Sequence, residues 1–235
     1  KRMSPIFHIK SARMRVSCAV VVATCLTLVS MSCAPFVYAK TLKIATTPSS
    51  HLIWIAEEKG FFKDAGVDVD VVPFSSGVDA SKALLSDEID LATSSEFTFV
   101  SNVTRYPQLR ILAGIARVSA VRLFTRADSG IRMARDLMGR RVGLTRRSIG
   151  EFFLGEYLLA NGIGLSEVSL VDIAAPDITG ALTSGRVDAA ITWQPFVHRT
   201  ATMLGPNYSE LPEQEAYFFH MLLIGQRSWV DASQH

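Results

Sequence analysis

Cysteine is scarce in this chain of 235 residues and is confined to one end. The three cysteines are Cys18, Cys25 and Cys33, and residues 34–235 contain none. This larger part of the chain therefore cannot form a disulfide bond. It also has no thiol nucleophile and no thiolate ligand for a metal ion.

Signatures of catalysis and of metal binding are missing as well. The sequence has no G-x-S-x-G nucleophile elbow, P-loop, dinucleotide-binding glycine motif or H-E-x-x-H metalloprotease motif. His51, His198 and His220 lack the spacing of metal ligands. We therefore expect no metal site, no cofactor and no catalytic residue, which favours a binding protein over an enzyme.

A large net charge is also lacking. Because the whole chain carries +2 and residues 1–39 hold five basic and no acidic residues, residues 40–235 carry −3. A mildly acidic body gives no electrostatic reason to expect nucleic acid as a partner.

Residues 1–39 have the pattern of an export signal. Basic residues up to Arg15 precede the sixteen-residue, mostly apolar run VSCAVVVATCLTLVSM, and Val37 and Ala39 are the small residues that a signal peptidase accepts. We expect cleavage after Ala39 and a periplasmic or other extracytoplasmic location. An uncleaved anchor is the first alternative, although the run is shorter than the roughly 20 residues of a membrane span. A lipid anchor on Cys33 is the second, but the residues before Cys33 lack the usual leucine.

From residue 40 onward, short apolar runs alternate with segments of helical spacing, which predicts an α/β fold with mostly parallel sheets flanked by helices. The predicted strands are 42–46, 67–74, 89–95, two within 109–126, 140–145, 168–173, 187–193 and 218–226. The predicted helices are 50–66, 75–88, a short one ending near Val103, 149–162, 175–185 and 195–204.

The alternation restarts near residues 127–140, which indicates two units. We expect a first lobe over 40–126, a second over 127–217, crossings around Thr125–Asp128, and a return to the first lobe over 218–235. The final RSWVDASQH is typical of a helix start, so we expect the natural chain to continue past His235 and this C-terminal part to be incomplete.

Small polar residues follow five of the predicted strands. Ligands of open parallel sheets bind at the carboxyl ends of the strands, where helix N-termini expose unpaired N–H groups. Two lobes with such turns facing a cleft would form a hydrogen-bonding pocket for a small polar, anionic ligand. The turns are Thr46 to His51, Ser75 to Gly77, Thr93 to Glu96, Thr145 to Gly150, and Thr192 to Pro195.

Helix capping is the competing interpretation of each hydroxyl. Ser148 and Glu151 fit the S-x-x-E capping box, in which the two side chains satisfy each other's backbone N–H groups. A cap explains one serine in a turn but not a cluster of two or three. Trp193 and the pair Phe152 and Phe153 stay open between core packing and ligand contact.

Four motifs in order resemble the periplasmic substrate-binding proteins of bacterial ABC importers, in the branch that handles nitrate, sulfonates, taurine and thiamine pyrimidine precursors. The matching residues are Ala56, Gly60, Phe62, Gly66 and Val67; Asp90, Leu91 and Ala92; Asp136, Leu137, Gly139, Val142 and Gly143; and the stretch from Leu182 to Pro195.

The resemblance implies a type II periplasmic-binding-protein fold with the ligand enclosed between two lobes. It also implies a membrane permease and its ATPase as partners. The contact turns of the family correspond here to Pro48, Ser49, Ser50 and His51; to Ser75, Ser76 and Gly77; to Ser94, Ser95 and Glu96; to Ser148, Ile149, Gly150, Glu151 and Phe152; and to Trp193 and Gln194. Thr145 joins them on the strand-end argument alone.

The leading functional hypothesis is a receptor that captures a small solute for import. One alternative is the same module as the sensing domain of a membrane signalling protein, and another is an enzyme of pyrimidine or quinone precursor synthesis. Glu151 bears on the ligand, because a carboxylate at a helix start opposes an anion. Either Glu151 caps the helix, or the ligand carries an amine or another donor.

Overall fold

The computed structural model describes residues 41–214 and 217–232. The expected export signal lies outside the described residues. Among the helices of the described part, none is both long and apolar enough to cross a membrane.

Ten strands alternate with eight α-helices in the described part. In chain order they are β1 (Leu42–Thr46), α1 (His51–Glu58), α2 (Phe61–Asp64), β2 (Val69–Pro73), α3 (Gly77–Leu85), β3 (Leu91–Ser95), α4 (Glu96–Val103), β4 (Leu109–Val118), β5 (Val121–Arg126), β6 (Arg141–Leu144), α5 (Ile149–Ala160), β7 (Ser169–Asp172), α6 (Ile178–Thr183), β8 (Ala189–Trp193), α7 (Phe196–Leu204), β9 (Tyr208–Glu210), β10 (Phe219–Gln226) and α8 (Arg227–Ala232).

The strands form two five-stranded sheets of matching design. The first has the order β2-β1-β3-β10-β4 and the second the order β7-β6-β8-β5-β9. In each sheet the first three strands are parallel and the last two pairings are antiparallel. The α/β fold with two sheets is confirmed, but the sheets are mixed where mostly parallel pairing was expected. Two parallel neighbouring strands are joined by a crossover connection, usually a helix. β5 and β10 instead enter their sheets after the chain crosses from the other sheet, and they pair antiparallel with their neighbours.

The assignment of Val121–Arg126 to the first lobe is wrong. This strand is β5, which pairs with β8 and β9 in the second sheet. The chain crosses at Ser119–Ala120, directly after β4, and not around Thr125–Asp128. The alternation of apolar and polar residues indicates which face of a strand is buried but not which strands lie beside it. The sequence therefore could not assign β5 to a sheet.

Two smaller predictions also differ from the structure. The predicted helix over 50–66 is divided into α1 and α2 at Gly60, whose φ of 76° a side-chain-bearing residue rarely adopts. The short strand β9 falls in a segment for which the sequence predicted no element. The helix start predicted near the end of the chain is present as α8.

Helices cover both faces of each sheet. In the second sheet, Leu154 and Leu158 of α5 pack with Leu144 and Ile191 on one face, and all four are fully buried. The spacing of four residues between Leu154 and Leu158 places them on one side of α5. On the other face, α6 and α7 enclose a cluster around Phe124. The first sheet is covered in the same way by α3 on one face and by α1 on the other.

An aspartate fixes the start of a parallel strand pair in each sheet. The Asp90 Oδ2 atom accepts a hydrogen bond from the backbone N–H of Lys43 at 2.9 Å, and the Asp188 Oδ2 atom accepts one from the N–H of Arg141 at 2.9 Å. The Arg141 guanidinium also bonds both oxygens of Asp188, at 3.1 and 2.8 Å. These bonds to Arg141 hold the pKa of Asp188 below its usual value. Both aspartates belong to the family motifs, so the motif has a structural role in each sheet.

Candidate functional site

A small cavity lies where the carboxyl ends of strands from both sheets come together. Its volume is about 30 Å³, which is room for about one water molecule. None of its lining side chains is charged. The lining residues are Thr47, Ser49, Gly77, Ser95 and Thr98 after strands of the first sheet, Ser148, Ile149 and Trp193 in the second half, and Phe219 and Met221 of β10.

The turn after β1 is held by a buried hydroxyl network. The hydroxyl of Ser50 donates to the Thr93 hydroxyl at 2.7 Å and lies 3.0 Å from the hydroxyl of Thr47. The backbone N–H of Thr47 donates to both Ser50 and Thr93. Ser49 lies between these residues in sequence, lines the cavity and makes no hydrogen bond within the described part through its side chain. Its hydroxyl is therefore available to a ligand.

The two turns after β2 and β3 are capped by serines. The Ser76 hydroxyl accepts from the backbone N–H of Asp79 at 3.1 Å and caps α3. The Ser95 hydroxyl accepts from the N–H of Thr98 at 3.3 Å and caps α4. Gly77 begins α3 next to Ser94, where an added Cβ would lie 3.1 Å from the Ser94 Cα. A glycine is therefore needed at this close approach.

The turn before α5 uses Ser148 and Glu151, but not as a capping box. The Ser148 hydroxyl accepts from the N–H of Gly150 at 3.2 Å and donates to the carbonyl of Thr145 at 2.6 Å. The Glu151 carboxylate accepts from the N–H of Arg147 at 2.6 Å and lies 3.3 Å from the Arg146 guanidinium. Arg147 has a left-handed backbone with φ of 58°, and in this turn the N–H of Arg147, and not that of Ser148, meets the carboxylate.

The charge of Glu151 is thus balanced outside the cavity. Its carboxylate bonds to the preceding turn and does not line the cavity. Its position at a helix start is therefore compatible with an anionic ligand.

Three helices begin at the cavity: α3, α4 and α5. The first N–H groups of a helix have no partner within the helix and carry partial positive charge. Two buried hydroxyls next to the cavity lining, Thr46 and Thr192, have no hydrogen-bond partner within the described part. The site therefore offers helix N–H groups, the Ser49 hydroxyl and no charged lining side chain in the described part, which suits an anionic or polar group.

Direct contacts join the two halves beside the cavity. The Thr98 hydroxyl on α4 donates to the carbonyl of Arg147 at 3.1 Å. The Phe97 ring lies 5.2 Å from the Phe152 ring of α5, and Phe152 lies 5.5 Å from Tyr217. These contacts close the cavity on one side.

Six of the residues proposed from the sequence line the cavity together: Ser49, Gly77, Ser95, Ser148, Ile149 and Trp193. Trp193 is 6% exposed and belongs to the core, and it also lines the cavity, so its contact with a ligand stays a prediction. Phe153 lies in the core, and Phe152 packs between the two halves.

The remaining proposed residues lie nearby but do not line it. Ser50, Ser76, Ser94 and Thr145 are buried and bonded to neighbouring groups. The side-chain oxygen of Gln194 accepts from the N–H of His198, and Glu96 accepts from the N–H of His220. His51 is exposed, Gly150 is buried, and Pro48 and Ser75 are half-buried.

Four lining residues were missed from the sequence. Thr47 belongs to a turn that was identified, and Thr98 follows Ser95 at the spacing of a capping pair, so both had a local signal. Phe219 and Met221 had none, because only the pairing of β10 with β3 brings them to the cavity. Within the described residues, no group of three or more His, Cys, Asp or Glu side chains could hold a metal ion.

Comparison with known proteins assigns the chain to a family. A family model described as "NMT1/THI5 like" matches residues 47–231. The chain belongs to the NMT1/THI5-like family. The match includes every strand after β1 and every residue that lines the cavity.

Two relatives of known name support this assignment. A putative aliphatic sulfonates-binding protein of Bacillus subtilis is 25% identical over 164 residues, which are 67% of this chain and 49% of that protein. A formylaminopyrimidine-binding protein of Halalkalibacterium halodurans is 25% identical over 139 residues, 59% of this chain and 42% of that protein. Both are named as binding proteins, and this chain spans less than half the length of each.

A solved structure confirms the fold. The alkanesulfonate-binding protein SsuA of Xanthomonas axonopodis pv. citri, bound to MOPS, superimposes with a TM-score of 0.71 at 17% identity. The match covers 82% of this chain and 67% of that protein. The expected periplasmic-binding-protein fold is thereby confirmed.

Proposed function

We propose that this protein is an extracytoplasmic receptor that binds a small anionic or polar organic solute and delivers it to an ABC importer. The observation that carries the proposal is the cavity between the two sheets, where hydroxyl groups and helix N-termini from both halves converge without a charged side chain. A ligand there would touch both halves at once.

The chemistry of the lining favours an oxyanion with a short organic part. Hydroxyl and backbone N–H donors suit a sulfonate, carboxylate or nitrate group, and Trp193, Phe219 and Met221 supply apolar surface for a carbon chain or ring. The name of the Bacillus subtilis relative, which includes aliphatic sulfonates, agrees with an oxyanion, whereas that of the Halalkalibacterium halodurans relative points to a polar heterocycle.

Binding requires the two halves to separate. A cavity of about 30 Å³ is far below the roughly 300–1,000 Å³ of small-molecule sites. Entry of a solute would part the contacts of Thr98 with Arg147 and of Phe97 with Phe152. The solute would then stabilise a closed arrangement by bridging both halves.

The proposed location and partners follow the relatives. One structural neighbour is the periplasmic aliphatic sulphonate-binding protein of Escherichia coli. Cleavage near Ala39 would release this protein into the same compartment, where a permease and its ATPase would take up the solute.

Thermal unfolding with a panel of sulfonates, nitrate, carboxylates and pyrimidines tests the function. A ligand at 100 times its Kd adds about 2.7 kcal/mol to the free energy of unfolding, which raises Tm by roughly 5–10 °C for a domain of this size. A rise for one chemical class would identify the solute. No rise for any class, with the protein folded, would contradict the receptor function.

Ser49→Ala tests the site itself. The Ser49 hydroxyl has no hydrogen-bond partner within the described part, so its loss should leave the unfolding midpoint unchanged without ligand. Affinity for the solute should fall about tenfold, as expected for one bond to a charged group. Ser166→Ala is the matched control, because Ser166 is exposed and its side chain makes no hydrogen bond in the described part. Equal affinity of the Ser49 and Ser166 variants would place the ligand elsewhere.

A further inference from the structure

A second and larger cavity lies beside α5. Its volume is about 570 Å³, within the range of small-molecule sites. We call it the α5 groove, and its principal lining residues are Phe153, Glu156 and Tyr157 of α5 with Glu213 and Tyr217 of the segment between β9 and β10. It shares no lining residue with the cavity between the sheets.

Aromatic rings form the wall of the α5 groove. Phe153 and Tyr157 are 5% and 6% exposed, so their rings are fixed by the core. Tyr217 meets Phe153 edge-on at 6.2 Å between ring centres. The Tyr157 hydroxyl donates to the carbonyl of Pro212 at 3.0 Å and ties α5 to the opposite side of the groove. The wall is therefore rigid and preformed.

Two carboxylates line the α5 groove together with these rings. Glu156 projects from α5 and Glu213 from the facing segment, and both are exposed. Neither forms an ion pair with any described residue, and no lysine, arginine or histidine of the described ranges lines the groove. The groove therefore carries two uncompensated negative charges beside aromatic rings.

Burial and the nearby carboxylates raise the pKa values of both tyrosines in the groove. Burial first and the nearby Glu213 carboxylate second raise the pKa of Tyr157 to about 12. Burial also raises the pKa of Tyr217, followed by the charges of Glu96 and Glu156.

We propose that the α5 groove binds an organic cation, such as a primary or quaternary ammonium compound, as a second ligand separate from the solute between the sheets. Ring faces attract an ammonium group through cation–π interaction, and the two carboxylates neutralise its charge. An inorganic cation would not use the aromatic wall, and an anion would be repelled. The α5 groove thus favours a ligand of positive charge, whereas the cavity between the sheets favours an anionic or polar one.

Calorimetric titration with choline tests this site, with 3,3-dimethylbutan-1-ol as the neutral compound of the same shape. Choline should bind and the neutral alcohol should bind at least tenfold more weakly. Affinity for choline should also fall as salt is raised, because exposed charges are screened. Equal binding of the two compounds, or binding of neither, would overturn the proposal.

Variants locate the site. Glu213→Gln and Glu156→Gln should each weaken choline binding about fivefold, and Tyr217→Leu by a similar factor through loss of the ring. Glu57→Gln is the control, since Glu57 is an exposed carboxylate on α1. Ser49→Ala should leave choline binding unchanged. If it weakens choline instead, the cation occupies the cavity between the sheets, and the second site does not exist.

Discussion

Most hydroxyl groups around the cavity are already bonded to the chain itself. Ser76, Ser95 and Ser148 cap helices, and the hydroxyls of Ser50 and Thr93 bond to each other. Ser49 is different, because its hydroxyl lines the cavity without a partner in the described residues. The capping interpretation therefore applies to Ser76, Ser95 and Ser148. The ligand interpretation stays a prediction for Ser49.

The sequence could predict which turns approach the cavity but not which side chain in each turn is free. Ser49 and Ser50 are adjacent and chemically identical, and only the position of Thr93 on the neighbouring strand engages Ser50. The same limit explains Glu151. Its spacing from Ser148 predicted a capping box, whereas the left-handed backbone of Arg147 shifts the bond by one residue.

Asp188 gives a residue-scale prediction for pH. Its folded pKa is lowered, so the carboxylate stabilises the protein above the unfolded pKa of about 3.9. That stabilisation is lost as pH falls through the folded value. Asp188→Asn should therefore lower the free energy of unfolding at pH 7, and the gap to the unmodified protein should narrow as pH falls from about 5 to 3.

Urea unfolding at several pH values measures this gap. Asp70→Asn is the control, because Asp70 is an exposed strand aspartate whose side chain makes no hydrogen bond in the described part. A gap that stays constant with pH would show that the Arg141–Asp188 contact does not depend on the charge of the carboxylate.

At the scale of elements, the surroundings of Gly180 and Gly143 predict opposite effects of substitution by alanine on the free energy of unfolding. Gly180 lies within α6, and an added Cβ would meet nothing within 4 Å. Gly180→Ala should raise the free energy of unfolding by up to about 1 kcal/mol through helix propensity. Gly143 lies in β6, where an added Cβ would lie 3.0 Å from Ile173 and 3.1 Å from Val187. Gly143→Ala should cost about 1–3 kcal/mol by overpacking.

The denaturant concentrations at the unfolding midpoints of the two variants test both expectations. Each serves as the other's control, since the change in composition is identical. A loss of stability in Gly180→Ala, or no loss in Gly143→Ala, would contradict the packing described for these elements.

The bounds of strands and helices were easier to predict than the pairing between strands. The strands over 42–46 and 187–193 and the helix over 149–162 follow from apolar spacing and lie within two residues of the observed bounds. Strand pairing does not follow from spacing, because it is decided by contacts between distant segments. For this reason β5 was assigned to the wrong sheet, and Phe219 and Met221 were absent from the expected site.

At the scale of the whole molecule, the closed arrangement proposed above includes a hydrogen bond between the halves that a single substitution removes. Thr98→Val removes the hydrogen bond from α4 to the Arg147 carbonyl while keeping the shape of the side chain. The loss of about 1 kcal/mol would shift the ratio of open to closed molecules by about fivefold. The radius of gyration of the ligand-free protein, measured by small-angle X-ray scattering, should increase.

Thr104→Val, directly after the same helix, is the matched control, because Thr104 is exposed and its side chain makes no hydrogen bond in the described part. An unchanged radius for Thr98→Val, with the control also unchanged, would mean that the apolar contacts between the halves, among them Phe97 with Phe152, hold the closed arrangement without this hydrogen bond.

The place of β10 between β3 and β4 also sets an order of events during synthesis. All strands of the second sheet lie within residues 121–210, so that sheet can be completed while the first still lacks its fourth member. At 5–20 residues per second, the roughly hundred residues between β4 and β10 take about 5–20 s to emerge from the ribosome. During that interval β3 and β4 each present an unpaired edge. The half of the protein that is made first is therefore the half that is finished last, and it is the half in which a nascent chain would need protection by a chaperone.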